Sequence, residues 1–160
     1  MEMPWDDVIS DDDRRIFNVA GWGRRAGFGE RPALLVIDVN YNFCGDTEEP
    51  VLDSIKKWRY ACGPHAWNTG IPAIQRVLTA GRAKRLPVIY TTNPRRDDGF
   101  DLGIWTLKSH RADDPVDVSG HKGNDIVTEL APEDGDLFIE KCKPSAFFGT
   151  TLMSHLNNLK

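Results

Sequence analysis

The chain has 160 residues, with 20 Lys and Arg against 24 Asp and Glu, a formal net charge of −4. That length suggests one domain, able to bury roughly two thirds of its unfolded surface without disulfides. At 40% hydrophobic and 28% charged residues the composition is that of a globular protein and not of a disordered one. The mild acidity argues against a nucleic-acid binder, which carries a basic stripe. No apolar run approaches the ~20 residues of a membrane helix. The N-terminal stretch MEMPWDDVISDDD is acidic, where a secretory signal begins basic and then turns apolar. The three cysteines, Cys44, Cys62 and Cys142, are odd in number and widely spaced, which fits a reducing cytoplasm better than a disulfide framework.

In chain order, a short helix is expected over 13–19, within an N-terminal extension of residues 1–30. Gly21, Gly23, Gly27 and Gly29 follow it. They precede the first strand, so they read as turns feeding it and not as a phosphate cradle, which follows a strand. Residues 31–160 hold three apolar β-type runs, at 33–39, 87–92 and 137–141. Each is short, continuously apolar at its start and polar at its end, as strands of a helix-covered parallel sheet are. Between the first two, Ile71, Ile74, Leu78 and Gly81 repeat at helical spacing over 71–85. Arg82, Lys84 and Arg85 suit the helix dipole in the last turn, and Leu86-Pro87 stops the helix. This is a β-α-β crossover, which makes the two strands parallel. The charged stretch 93–124 reads as a long functional loop, and a short helix is expected near 126–130. After the third strand, Thr150 or Thr151 caps a last helix with Leu152, Leu156 and Leu159 on one face.

Open α/β sheets place their sites at the carboxyl ends of the strands. Asp38 ends the first strand and Lys141 the third, so both are expected to face one crevice. A carboxylate there is costly to bury unpaired. Paired with a lysine, it can accept a proton beside a developing charge. The alternative is an ion pair that merely closes the sheet end. Asn93, at the end of the second strand, and the aromatic residues Phe43, Trp105 and Phe147 are substrate-contact candidates, although aromatics near a sheet end also serve as packing. The four histidines, His65, His110, His121 and His155, lack metal-ligand spacing, so no metal or other cofactor is expected. The segment after Asp38 supplies no glycine-rich turn, which argues against a nucleotide- or flavin-binding module.

Pro32–Asp38 followed by Phe43, then Leu137–Lys141, then Ser145–Thr150 and Leu152, together resemble the isochorismatase-like cysteine hydrolase superfamily. The lead-in Gly27–Pro32 and the Trp105…Lys108 segment are most similar to its N-carbamoylsarcosine amidase branch. The resemblance implies a three-layer α/β/α, Rossmann-like parallel sheet. It also implies an Asp-Lys-Cys triad in which Asp38 takes the thiol proton and Lys141, in preference to Lys143, orients and polarises the site. The metal-binding nicotinamidase branch uses an Asp-x-His arrangement that this sequence does not have.

The resemblance also marks a departure. The triad cysteine is expected after one more strand beyond the last helix, and none of the three cysteines holds that position. Cys44 lies six residues past Asp38, in the loop after the same strand, within reach of the site as an alternative nucleophile; Cys142 is flanked by Lys141 and Lys143, which should lower its pKa, but points another way from Lys141; and Cys62 reads as structural. Three strands are fewer than the roughly five or six of doubly wound sheets. The run Leu137, Phe138, Ile139 reads as buried on both faces although it forms an edge, and the last helix has no strand to follow it. The chain is therefore expected to be most of a domain, incomplete at its C-terminus. The implied activity is cleavage of a C–N bond in a small carbamoyl or amide compound, with the cysteine outside the chain. An inactive truncated member associating with other subunits is the alternative. Expected partners are the small substrate and either further copies or a complementary C-terminal chain, with neither nucleic acid nor membrane.

Overall fold

The computed structural model describes residues 5–94, 96, 98–101, 103–107, 117–118 and 121–159, excepting the side chains of 105, 106, 117, 118 and 121. Lys108, His110 and the side chains of Trp105 and His121 thus lie outside the described set. The chain divides into two compact units, 1–30 and 31–160.

In the first unit, helix α1 (Asp11–Ala20) extends the expected 13–19 helix at both ends. It starts on Ser10, whose Oγ accepts the Asp13 N–H at 3.2 Å, and stops at Gly21, left-handed at φ 73°. Asp11, Asp12 and Asp13 occupy the first turn, where negative charge complements the helix dipole.

The second unit is built on β1 (Leu34–Ile37), β2 (Val88–Thr92) and β5 (Leu137–Glu140). Between them lie α2 (Tyr41–Cys44), α3 (Val51–Lys57) and α4 (Ile71–Ala83), then the small strands β3 (Asp117–Val118) and β4 (His121–Lys122). Helix α5 (Leu152–Asn158) follows β5. A π-helical turn, Ala66–Gly70, leads into α4, and short 3-10 turns stand at Gly103–Leu107 and Thr128–Leu130.

The sheet order is β1-β2-β5, all parallel, with Ile37 beside Thr91 and Thr91 beside Ile139. Alternation along the strands sends two sets of side chains to opposite faces. Val36, Val88 and Tyr90 join Ile71 and Leu78 of α4 in one core; Ile89 and Ile139 join Leu152 and Leu156 of α5 in the other. The architecture is therefore helix, parallel sheet, helix. Each fully buried Ile or Leu, such as Ile89 and Leu152 at 0% exposure, contributes about 1.5–3 kcal/mol. Cap chemistry starts α5: the Thr150 hydroxyl, not that of Thr151, accepts the Leu152 N–H at 3.1 Å.

Three expectations need correction. Only β2 is buried along its whole length; Ile37 at the end of β1 is 57% exposed. Phe138 on β5 is 47% exposed, because β5 is an edge and no element covers that side of it among the described residues. Leu159 falls just past α5 and is exposed, so the apolar stripe ends at Leu156. The expected helix near 126–130 is a single 3-10 turn, held short by the extended Ala131 before Pro132. No helix among the described residues is long and apolar enough to cross a membrane.

Arg82 does more than complement a dipole. Its guanidinium reaches Asp136 Oδ2 at 2.5 Å and Glu133 Oε1 at 2.7 Å, and donates to the Tyr90 hydroxyl at 3.3 Å. It thereby ties α4 to the turn that feeds β5 and fixes where that strand starts.

Candidate functional site

The carboxyl ends of the three parallel strands bring together residues far apart in sequence. The Asp38 N–H continues the ladder by donating to the Thr91 carbonyl at 3.0 Å, and Lys141 N–H donates to the Thr92 carbonyl at 2.9 Å. Asp38 itself leaves β geometry: its φ is +54°, a region that aspartate tolerates better than most residues. The bend takes its carboxylate out of strand alternation. Lys141, two residues past Ile139, falls on the same face as Ile139 and Leu137.

The result is a direct ion pair. Lys141 Nζ donates to Asp38 Oδ2 at 2.7 Å, with the lysine side chain 3% exposed and the aspartate 23%. The other oxygen, Oδ1, accepts from the Thr91 hydroxyl at 3.3 Å. Both oxygens of the carboxylate are thus engaged, which offsets the cost of holding two charges out of water. The structure leaves one rim of the pair open, on the aspartate side.

A second polar layer fixes the turn after Asp38. Asn40, fully buried, caps α2 by accepting the Phe43 N–H at 3.3 Å and donates to Thr92 Oγ1 at 3.4 Å. The Thr92 hydroxyl donates to the Asn124 carbonyl at 2.5 Å. Segment 121–127 crosses over this end of the sheet: Asn42 N–H donates to the Gly123 carbonyl at 2.8 Å, and Asn42 Nδ2 to Asn124 Oδ1 at 3.1 Å. A side chain at Gly123 would strike Asn42, so glycine is what lets the two segments close. The sequence reading missed this layer. Asn40, immediately before Tyr41–Cys44, was the available signal, since asparagine is a preferred N-cap.

The remaining candidates fall as follows. Asn93 directly follows Thr92 and is half-buried at the sheet end. Phe43 stands on α2, its ring 6.3 Å from that of Tyr60. Phe147 lies in the turn before α5 and is exposed. Trp105 has a described backbone only, in the 3-10 turn 103–107. Lys143 is exposed and donates to the Asp101 carbonyl at 3.3 Å, so it is Lys141 and not Lys143 that meets Asp38. In the charged run after β2, Arg96 and Asp98 pair with each other at 2.5 Å; that bond holds the Asp98 carboxyl below its usual range. Arg95 and Asp97 of the same run lie outside the described residues.

The cysteines separate by burial. Cys44 is buried in the main core, and desolvation first, then the neighbouring Cys62 and Glu129, pushes its thiol up to about 12. A thiol so held stays protonated at neutral pH and is a poor nucleophile. Cys62 and Cys142 are exposed, whereas Lys141, the neighbour of Cys142, is buried. Among the described residues no three His, Cys, Asp or Glu side chains are grouped as metal ligands.

Residues 32–160 match the family described as Isochorismatase domain. The chain is 34% identical over 145 residues to N-carbamoylsarcosine amidase of Arthrobacter sp, a match covering 86% of this chain and 48% of that protein. In fold it is similar to a cysteine hydrolase from Pseudomonas syringae pv. phaseolicola, with a TM-score of 0.64 at 26% identity, over 81% of this chain and 55% of that one. It is also similar to N-carbamoylsarcosine amidase from Thermoplasma acidophilum, with a TM-score of 0.55 at 26% identity, over 81% of this chain and 62% of that one. The chain spans about half the length of the curated relatives it matches. With most of its length matched and the parallel sheet in place, the chain belongs to the Isochorismatase domain family.

Proposed function

We propose that this chain supplies the aspartate and the lysine of a cysteine amidohydrolase that cleaves a C–N bond in a small carbamoyl or amide compound. The observation that carries the reading is the Lys141–Asp38 pair at 2.7 Å, held at the carboxyl end of a parallel sheet with the aspartate side open. A relative named for N-carbamoylsarcosine, at 34% identity, supports a ureido acid as substrate.

In this reading Asp38 accepts the proton of a cysteine thiol supplied from outside these 160 residues. The thiolate attacks the amide or ureido carbonyl, and Lys141 balances the charge on Asp38 until that proton arrives. The tetrahedral intermediate collapses, the C–N bond breaks, and the proton held by Asp38 leaves with ammonia. Water then cleaves the thioester, with Asp38 as base. Cys44 is excluded from the role by its buried, protonated thiol. Asn93 and the aromatic residues Phe43, Trp105 and Phe147 are the proposed substrate contacts, Asn93 by virtue of its place after Thr92. A complementary C-terminal segment is the proposed source of the thiol, a reading supported by the exposed Phe138 on the edge strand.

The test is ammonia release from N-carbamoylsarcosine and from simple primary amides by the full-length gene product. The expected result is turnover that iodoacetamide abolishes and that survives Cys44→Ser. Loss of turnover in Cys44→Ser would place the nucleophile in this chain and overturn that part of the reading.

A further inference from the structure

Thr91 is a polar residue in an apolar row. Its register neighbours on either side are Ile37 and Ile139, and its own strand is buried from end to end. Thr91 is 0% exposed. A valine would fill that space with nearly the same shape and no polar atom to desolvate. A hydroxyl without a partner there costs about 1–3 kcal/mol, so its presence needs a bond that uses it. The acceptor within reach is Asp38 Oδ1 at 3.3 Å, the oxygen that Lys141 does not hold.

The backbone adds a second, independent tie. The Thr91 carbonyl receives the Asp38 N–H at 3.0 Å, immediately before the left-handed turn at φ +54°. Asp38 is thus held by one residue at both its amide and its carboxylate. A non-glycine residue at positive φ persists only where the surroundings over-determine it. The carboxylate has one free torsion toward the open rim, and two donors at fixed positions remove it.

We propose that Thr91 is a positioning residue. Its hydroxyl fixes the rotamer of the Asp38 carboxylate so that Oδ2 stays on Lys141 and Oδ1 stays beside Thr91, the oxygen left to take a thiol proton that arrives at the open aspartate side. This rests on the Asp38–Lys141 reading above, and deepens it: Thr91 acts through Asp38 and touches no substrate. The Thr91 bond is long for O–H···O, so Oδ1 keeps acceptor capacity for an incoming proton.

The experiment follows hydrogen exchange of the Lys141 ammonium by NMR in the isotope-labelled 160-residue chain, comparing Thr91→Val, Thr91→Ser and Asp38→Asn. Melting temperature is recorded for each. The expected result is exchange about fivefold to tenfold faster in Thr91→Val, the size of one neutral hydrogen bond, and near wild type in Thr91→Ser, which restores the donor. A merely structural role predicts the reverse order, because serine and not valine leaves a hole. Should Thr91→Val fail to fold, Thr91→Cys, which has the shape of serine with only a weak S–H donor, is compared with Thr91→Ser, and faster exchange in the cysteine variant is the expected result. Unchanged exchange in Thr91→Val, with faster exchange in Asp38→Asn, overturns the role of Thr91 and leaves the ion pair standing. Unchanged exchange in Asp38→Asn overturns the pair, and the proposal with it. In the full-length enzyme, the same reasoning predicts that Thr91→Val lowers kcat by a similar factor with KM unchanged.

Discussion

Removing one charge of the Asp38–Lys141 pair tests the energetics most sharply. At 2.7 Å the Coulomb attraction is about 6 kcal/mol for an effective dielectric of roughly 20. Desolvation of both groups opposes it, so the pair adds little net stability while it is intact. The single variants are another matter, because each strands the partner. Lys141 is 3% exposed and Asp38 23%, so the lysine is the more costly orphan. Asp38→Asn keeps the shape and tolerates the positive φ, and should cost about 2–4 kcal/mol, below the usual 3–5 for a stranded buried charge because the amide oxygen still accepts. Lys141→Met should cost about 1–2 kcal/mol, since the remaining carboxylate keeps some water and the Thr91 hydroxyl. The double variant should be more stable than the sum of the singles by at least about 1 kcal/mol. Urea denaturation of the four proteins measures this. Strict additivity would mean that the two charges do not interact, and would refute the reasoning.

Four further expectations follow from other parts of the molecule. The Cys44 thiol, pushed up to about 12 from 9.0, binds its proton more tightly in the folded state than in the unfolded one. Its contribution to stability is therefore complete below pH 9 and falls as pH rises toward 12. The loss in that window should shrink in Cys44→Ala, as read by urea melts across pH. A thiol-labelling time course at mildly alkaline pH should modify Cys62 and Cys142 and spare Cys44; equal labelling of all three would contradict its burial. Arg82→Met should destabilise the chain by about 2–4 kcal/mol, because Asp136, 8% exposed, loses its cationic partner and keeps only the Glu133 N–H; Asp136→Asn in that background should recover part of the loss. Gly63→Ala should cost about 1–3 kcal/mol, since Gly63 sits at φ +53° and an added Cβ would lie 2.8 Å from the Glu49 carbonyl oxygen. Thermal unfolding checks it.

The parts of the fold that were legible in the sequence are those set by local pattern. The three strands announce themselves as apolar runs ending in polar residues, and α4 as a stripe of Ile71, Ile74, Leu78 and Gly81. Asp38 and Lys141 could be paired on paper because parallel strands put their carboxyl ends side by side. What pattern does not carry is contact between distant segments. Asn42 and Asn124 meet across 82 positions, and Arg82 reaches Asp136 across 54. The left-handed turn at Asp38 is equally hidden, because aspartate there reads as an ordinary strand end. The edge exposure of Phe138 was misjudged for a related reason: an apolar run says that a strand belongs to a core, not how many sides of it are covered.

The central claim is that Asp38 works as the proton acceptor beside Lys141. Its most direct test is the rate of ammonia release by Asp38→Asn in the enzyme that carries the proposed cysteine, with folding monitored by circular dichroism on the same sample. The account predicts a folded protein whose turnover falls by at least about a hundredfold, the lower end of what a general base contributes. A folded Asp38→Asn protein with wild-type turnover would contradict it.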